Sequence, residues 1–211
     1  MEEKITAGNP PCQLISFVMD NSASCKKEAL AALMGGFRRL AEQTRGQAAV
    51  EWELSCFDTF TPCVVKHFDG EEVAPVRACR MPLLSRALFT AKERLGARAA
   101  ALREEGRVLY RPWMFILSSG FTLDDVEEVV NALDEMEHNG ELLYLPFKLG
   151  PKLYTERIRT LDRVKQMIEI KSEGVEGFFD FVGSMLERRL TSPEDAGIKF
   201  RKTDFEGWAV L

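Results

Sequence analysis

Histidine is scarce in this chain: His67 and His138 are the two among 211 residues. Neither stands beside a serine or cysteine in a pattern that pairs a nucleophile with its base. The G-x-S-x-G elbow, the phosphate-cradling P-loop and the dinucleotide G-x-G-x-x-G are all missing, and no histidine–cysteine cluster has zinc spacing. Cysteine is limited to Cys12, Cys25, Cys56, Cys63 and Cys79, an odd number with no C-x-x-C pair. That fits reduced thiols in a cytoplasm better than a disulfide framework. Basic charge is not in excess: 28 Lys and Arg against 33 Asp and Glu leave a net charge of −5. A nucleic-acid partner is therefore not expected, because phosphate neutralisation needs a basic face. No apolar run approaches the length of a bilayer span, and the acidic start MEEKITAGNPP does not read as a signal peptide. A membrane role and a small-molecule substrate both lack a sequence signal.

What the chain does contain is an ordinary core-forming composition, 45% hydrophobic and 29% charged, in strands that alternate with helices. Leu14 to Met19 is a short apolar run suited to a strand buried on both faces. Cys25 to Gln43 carries Leu30, Leu33, Met34, Phe37 and Leu40 at helical spacing, with Gly46 just past its end. Val50 to Cys56 alternates, and Cys63 to Phe68 reads as its hairpin partner across an Asp58–Pro62 turn, with Pro62 marking a sheet edge. A long helix is expected from Pro82 to about Glu105, a buried strand over Trp113–Leu117, and an acidic amphipathic helix over Leu123–His138. Leu142–Phe147 reads as a strand and Lys152–Leu161 as a short helix. A last strand falls within Val164–Ile170, and a last helix covers Val175–Leu190. The expected fold is α/β: a doubly wound, mostly parallel sheet with one antiparallel edge strand and helices on both faces. The expected divisions are a lead at 1–13, a domain at 14–190, and a tail or strap at 191–211.

The sharpest motif is FVMDNSAS, where an apolar run ends in Asp20, Ser22 and Ser24 and a helical pattern begins at once. Three hard oxygen groups at alternate positions suit Mg²⁺ or Mn²⁺, and the C-terminal ends of parallel strands are where such sheets bind ligands. The same residues also suit a turn and a helix cap. Ser118, Ser119 and Thr122 form a second strand-to-helix loop, with Thr122 placed to cap the helix after it. Asp124 and Asp125 read as first-turn acids favoured by the helix dipole. Cys25 sits where a helix N-terminus lowers a thiol pKa and the adjacent Asp20 opposes it, so it is not expected to be a nucleophile.

D-x-S-x-S resembles the first element of the metal-ion-dependent adhesion site (MIDAS) of von Willebrand factor type A (vWA) domains. The segment YRPWMFILSSGFTLDD, Tyr110 to Asp125, resembles the fourth strand and following loop of bacterial vWA domains of the TerY-like group, associated with tellurite resistance and stress response. The resemblance spans about Leu14 to Arg189 and implies a metal shell completed by a threonine and an aspartate. Here the threonine aligns with Met81 and the aspartate with Ser119. A thioether is a poor ligand for Mg²⁺, so the resemblance implies a degenerate site with metal (Mg or Mn) bound weakly or not at all. The candidate metal residues are Asp20, Ser22, Ser24 and Ser119. The implied function is non-catalytic binding of a protein partner at the strand ends, through Asp20, Ser22, Ser24, Arg80, Met81, Ser118, Ser119 and Thr122. Arg77 and Arg80 would supply charge in place of the cation. Two other readings stand beside it: a metal-bridged scaffold with a working site, and a small-molecule enzyme on the same sheet. Trp52 and Trp113 read as core, whereas Trp208, near the terminus, reads as a surface anchor.

Overall fold

A computed structural model describes residues 10–22, 25, 27–57, 63–67, 82–149, 161, 165–171, 173–191 and 200–211. Among these residues, seven strands form one sheet in the order β3-β2-β1-β4-β5-β6-β7. The first strand, β1 (Gln13–Asp20), is buried along its whole length, as its unbroken apolar run requires. It pairs in parallel with β2 (Val50–Phe57) on one side and β4 (Trp113–Ser118) on the other. Parallel pairing continues through β5 (Leu143–Leu149) to β6 (Ile168–Ile170). The hairpin strand β3 (Cys63–His67) closes the β2 edge antiparallel, with Trp52 opposite His67 and Cys56 opposite Cys63. The expected mostly parallel, doubly wound sheet is the one found. The tail adds a second antiparallel edge, since β7 (Ala209–Val210) pairs with β6.

Among the described residues, four α-helices cover the two faces: α1 (Lys27–Thr44), α2 (Leu84–Glu104), α3 (Glu127–His138) and α4 (Val175–Thr191). Strand alternation divides the core accordingly. One face is aromatic: Phe17, Trp52, Phe115 and Phe147 pack under Phe37 of α1 and Phe178 and Phe181 of α4. Phe17 makes an edge contact with Phe37, centroids 5.0 Å apart, and stacks on Phe115 at 5.3 Å, worth about 1 kcal/mol each beyond burial. The other face is mostly aliphatic, with Leu14, Val18, Met114 and Ile116 under Leu88 and Leu95 of α2 and Val130 and Leu133 of α3. Helices α1 and α4 meet at Gly36, where a Cβ would stand 1.9 Å from the Phe179 ring, so only glycine fits that crossing.

Two expectations change. Trp208 is not a surface anchor: it is partly buried and stacks on Phe147 at 6.0 Å. Its ring also lies against Phe181 and Phe205, and its Nε1 donates to the Asp204 carbonyl at 2.9 Å. The second change is that α3 begins at Glu127, four residues later than the apolar spacing suggests, because the preceding residues serve a different helix, as described below. The Asp58–Pro62 turn, nearly all of the Lys152–Leu161 helix, and Ser24, Arg77, Arg80 and Met81 lie outside the described residues. Among the described residues, no helix is long and apolar enough to cross a membrane.

Candidate functional site

Strand β1 delivers Asp20 to the C-terminal edge of the sheet, 0% exposed. Its carboxylate is engaged from both flanking loops. Oδ1 accepts the Ser22 backbone N–H at 2.8 Å, the local turn that aspartate favours. Oδ2 accepts the Ser119 N–H at 3.1 Å and the Ser119 hydroxyl at 2.8 Å. The Ser118 hydroxyl stands farther off, at 3.5 Å. The Ser22 carbonyl in turn accepts the Cys25 N–H at 3.1 Å, and the Cys25 thiol hydrogen-bonds the same carboxylate. Burial first, and then the Asp20 charge and hydrogen bond, push that thiol far up from its ordinary value. Cys25 is thus held protonated as a donor, and the lowering that a helix N-terminus provides is overwhelmed.

The β4–α3 loop has a second task. The Gly120 N–H donates to the Ser118 hydroxyl at 3.1 Å, and Gly120 takes φ 83°, a conformation that favours glycine. Beyond it, the Thr122 hydroxyl accepts the Leu84 N–H at 3.2 Å and also bonds Asp124. Asp124 Oδ2 accepts the Arg86 N–H at 3.2 Å, and the Leu123 N–H donates to the Pro82 carbonyl at 3.1 Å. Thr122 and Asp124 therefore satisfy the orphan donors at the start of α2 rather than capping α3. Asp125 has the more local role, accepting the Glu127 N–H at 3.0 Å.

The structure brings together five of the residues singled out from sequence: Asp20, Ser22, Ser118, Ser119 and Thr122. All are buried, the most open being Ser119 at 5% exposure. Ser24, Arg80 and Met81 lie outside the described residues. Two neighbours escaped the sequence reading. Lys148 lies opposite Ser118 in the β4–β5 register and is 5% exposed, so a buried lysine shares the sheet face that carries Ser118 and Asp20. A lysine inside the apolar strand LYLPFKL was the available signal. Asn21 is 8% exposed, and its Oδ1 is buried with no hydrogen-bond partner among the described residues. Nothing in its sequence context marked it.

No protein-family model and no curated protein matches this sequence. Solved structures do resemble it in fold. Proximal thread matrix protein 1 of the mussel byssus superposes with a TM-score of 0.53 at 12% identity, over 86% of this chain and 48% of that one. The manganese-loaded TRAP protein of Plasmodium vivax gives 0.49 at 12% identity, over 66% and 57%. The byssus protein with a zinc-occupied MIDAS motif also gives 0.49 at 12% identity, over 86% and 45%. This chain spans about half the length of the solved chains it matches. The likeness is one of architecture, and the chain has the α/β fold of vWA-type domains.

Proposed function

We propose that this chain is a non-catalytic, cytoplasmic interaction module of the vWA type, allied to the TerY-like group, and that it binds a protein partner at the strand ends without a bridging cation. The observation that carries this reading is the Asp20 carboxylate, whose two oxygens accept from Ser22 and from both donors of Ser119. The donor set fits Mg²⁺ or Mn²⁺ poorly. It offers one carboxylate, already engaged, and neutral serine hydroxyls, whereas Mg²⁺ dehydrates reluctantly and leans on carboxylates. Among the described residues, no group of three or more His, Cys, Asp or Glu side chains could hold a metal. Ser119 replaces a ligand with a donor, so the pull on Asp20 that a cation would exert comes from hydroxyl, thiol and amide hydrogens.

Because Ser22, Ser118, Ser119 and Thr122 are buried, their role in this reading is to fix the shape of the two loops. Contact falls to the rim, where Leu123 is 50% exposed, and to Ser24, Arg80 and Met81 by their place in the sequence. An arginine offers a partner carboxylate a bidentate grip without metal.

The test is capture of the partner by tagged protein with Mg²⁺ and with EDTA, using Asp20→Asn and Arg80→Ala variants. The partner should be retained equally in both buffers and with Asp20→Asn, and Arg80→Ala should weaken binding about tenfold. Loss of the partner in EDTA, with Arg80→Ala unaffected, would reject the proposal in favour of a metal-bridged scaffold.

A further inference from the structure

At the other end of the sheet, a half-open cavity of about 740 Å³ lies between the end of α1, the first half of β2 and the second half of α2. It is the size of a small-molecule site. Leu14, six residues before Asp20 on β1, lines it, which puts it about 20 Å from the Asp20 carboxylate. The cavity and the Asp20 cluster share no residue.

Four arginines and two glutamates line this cavity, and their hydrogen bonds do not balance. Glu51 is engaged twice over: Arg98 grips it with Nε at 2.7 Å and Nη2 at 2.9 Å, and Arg107 Nη1 stands 3.7 Å away. Glu53 is engaged as well, taking Arg94 Nε at 3.1 Å on one oxygen and the Ser16 hydroxyl at 3.2 Å on the other. The donors are not exhausted. Among the described residues, Arg94 spends Nε alone, leaving both terminal nitrogens. Arg107 bonds the Ala48 carbonyl through Nη2, but its Nε is buried with no partner among the described residues. Arg45 is exposed and engages no acceptor among the described residues. Each glutamate is already held by an arginine while guanidinium N–H groups remain, in a formal count of four positive charges to two negative.

We infer that this cavity is a binding site for a small organic anion bearing phosphate or carboxylate. Planar N–H pairs on Arg94 and Arg45 match the oxygens of such a group, and Leu95, Ala97 and Ala101 provide an apolar wall for its carbon body. Trp52 lines the same cavity, its Nε1 donating to Thr44 at 2.9 Å. Its indole resonance is therefore a local reporter, and that of Trp208, packed beyond β5 in the sheet order, is an internal control.

The experiment is titration of the full chain with inorganic phosphate and with citrate, at ionic strength held constant with sodium chloride and followed by the indole N–H signals. A saturable shift of Trp52 without one of Trp208 is expected for at least one probe. Arg45→Glu should raise its dissociation constant about tenfold or more. Arg45 is exposed, so this variant folds, whereas Arg94→Gln strands the buried Glu53. Absence of a saturable Trp52 shift for both probes at tens of millimolar would overturn the inference. Binding that Arg45→Glu leaves unchanged would overturn it equally.

Discussion

Ser119 is the residue on which the account turns. Its hydroxyl and amide both donate to Asp20, and Asp20 is wholly buried. Removing the hydroxyl leaves a charged acceptor short of a donor, so Ser119→Ala is expected to cost about 1–3 kcal/mol in urea denaturation. A cost near zero would mean that water or another group already serves Asp20. Cys25 makes a separate prediction through its thiol. Burial drives Cys25 far up, and burial likewise pushes Cys12 from 9.0 to about 11. A raised thiol pKa means that the folded chain keeps protons which the unfolded chain releases above about pH 9. Their contribution is thus fully present below pH 9.0 and is lost as pH rises, by about 11 for Cys12 and beyond that for Cys25. Stability measured by denaturant should decline above pH 9 in the native chain, and the slope should flatten in Cys25→Ala. A slope indifferent to Cys25 would contradict the buried thiol.

At the scale of elements, the residues that carry the resemblance turn out to hold helices in place. In Tyr110-Arg111-Pro112-Trp113, the Arg111 guanidinium reaches the Glu137 carbonyl at 2.7 Å and also bonds the Leu142 carbonyl, closing the C-terminal end of α3 as a cation should. Trp113 is 0% exposed at the centre of the sheet. Asp124 holds the start of α2, so Asp124→Ala should cost about 0.5–2 kcal/mol of stability without altering the amide protection of α3. The reverse pattern would return Asp124 to α3. The C-terminal strand docks through Trp208, which sits so close to α4 that a Cβ on Gly177 would stand 2.4 Å from the Trp208 Cβ. Trp208→Ala is expected to cost about 3 kcal/mol; a loss below 1 kcal/mol would make the strap dispensable.

At the scale of the molecule, the parallel sheet was legible because its central strands are buried on both faces and read as continuous apolar runs. The first strand and Trp113–Ser118 were placed within a residue or two for that reason. Strand β7 was not legible: it pairs two residues, too few for any alternation to show, and Val210 is 52% exposed. The late start of α3 was hidden because Leu123 and Val126 fit a helical stripe while Thr122 and Asp124 bond to a helix some 38 residues away. Periodicity cannot report a partner so distant in sequence. The chemistry around Asp20 was legible in kind, as an aspartate among serines at a strand end. Its hydrogen-bond direction was not, since a serine hydroxyl serves equally as ligand and as donor, and only the 2.8 Å contact from Ser119 to Asp20 separates the roles.

The most direct test of that direction is calorimetric titration of the wild-type chain with Mn²⁺, alongside Asp20→Asn and Ser119→Asp. Hydrogen bonds standing in for the cation predict no saturable heat for the wild type up to millimolar Mn²⁺. They also predict that Ser119→Asp, which sets a second carboxylate against Asp20, acquires binding. Micromolar affinity in the wild type that disappears in Asp20→Asn would contradict the account and make the site a working metal centre.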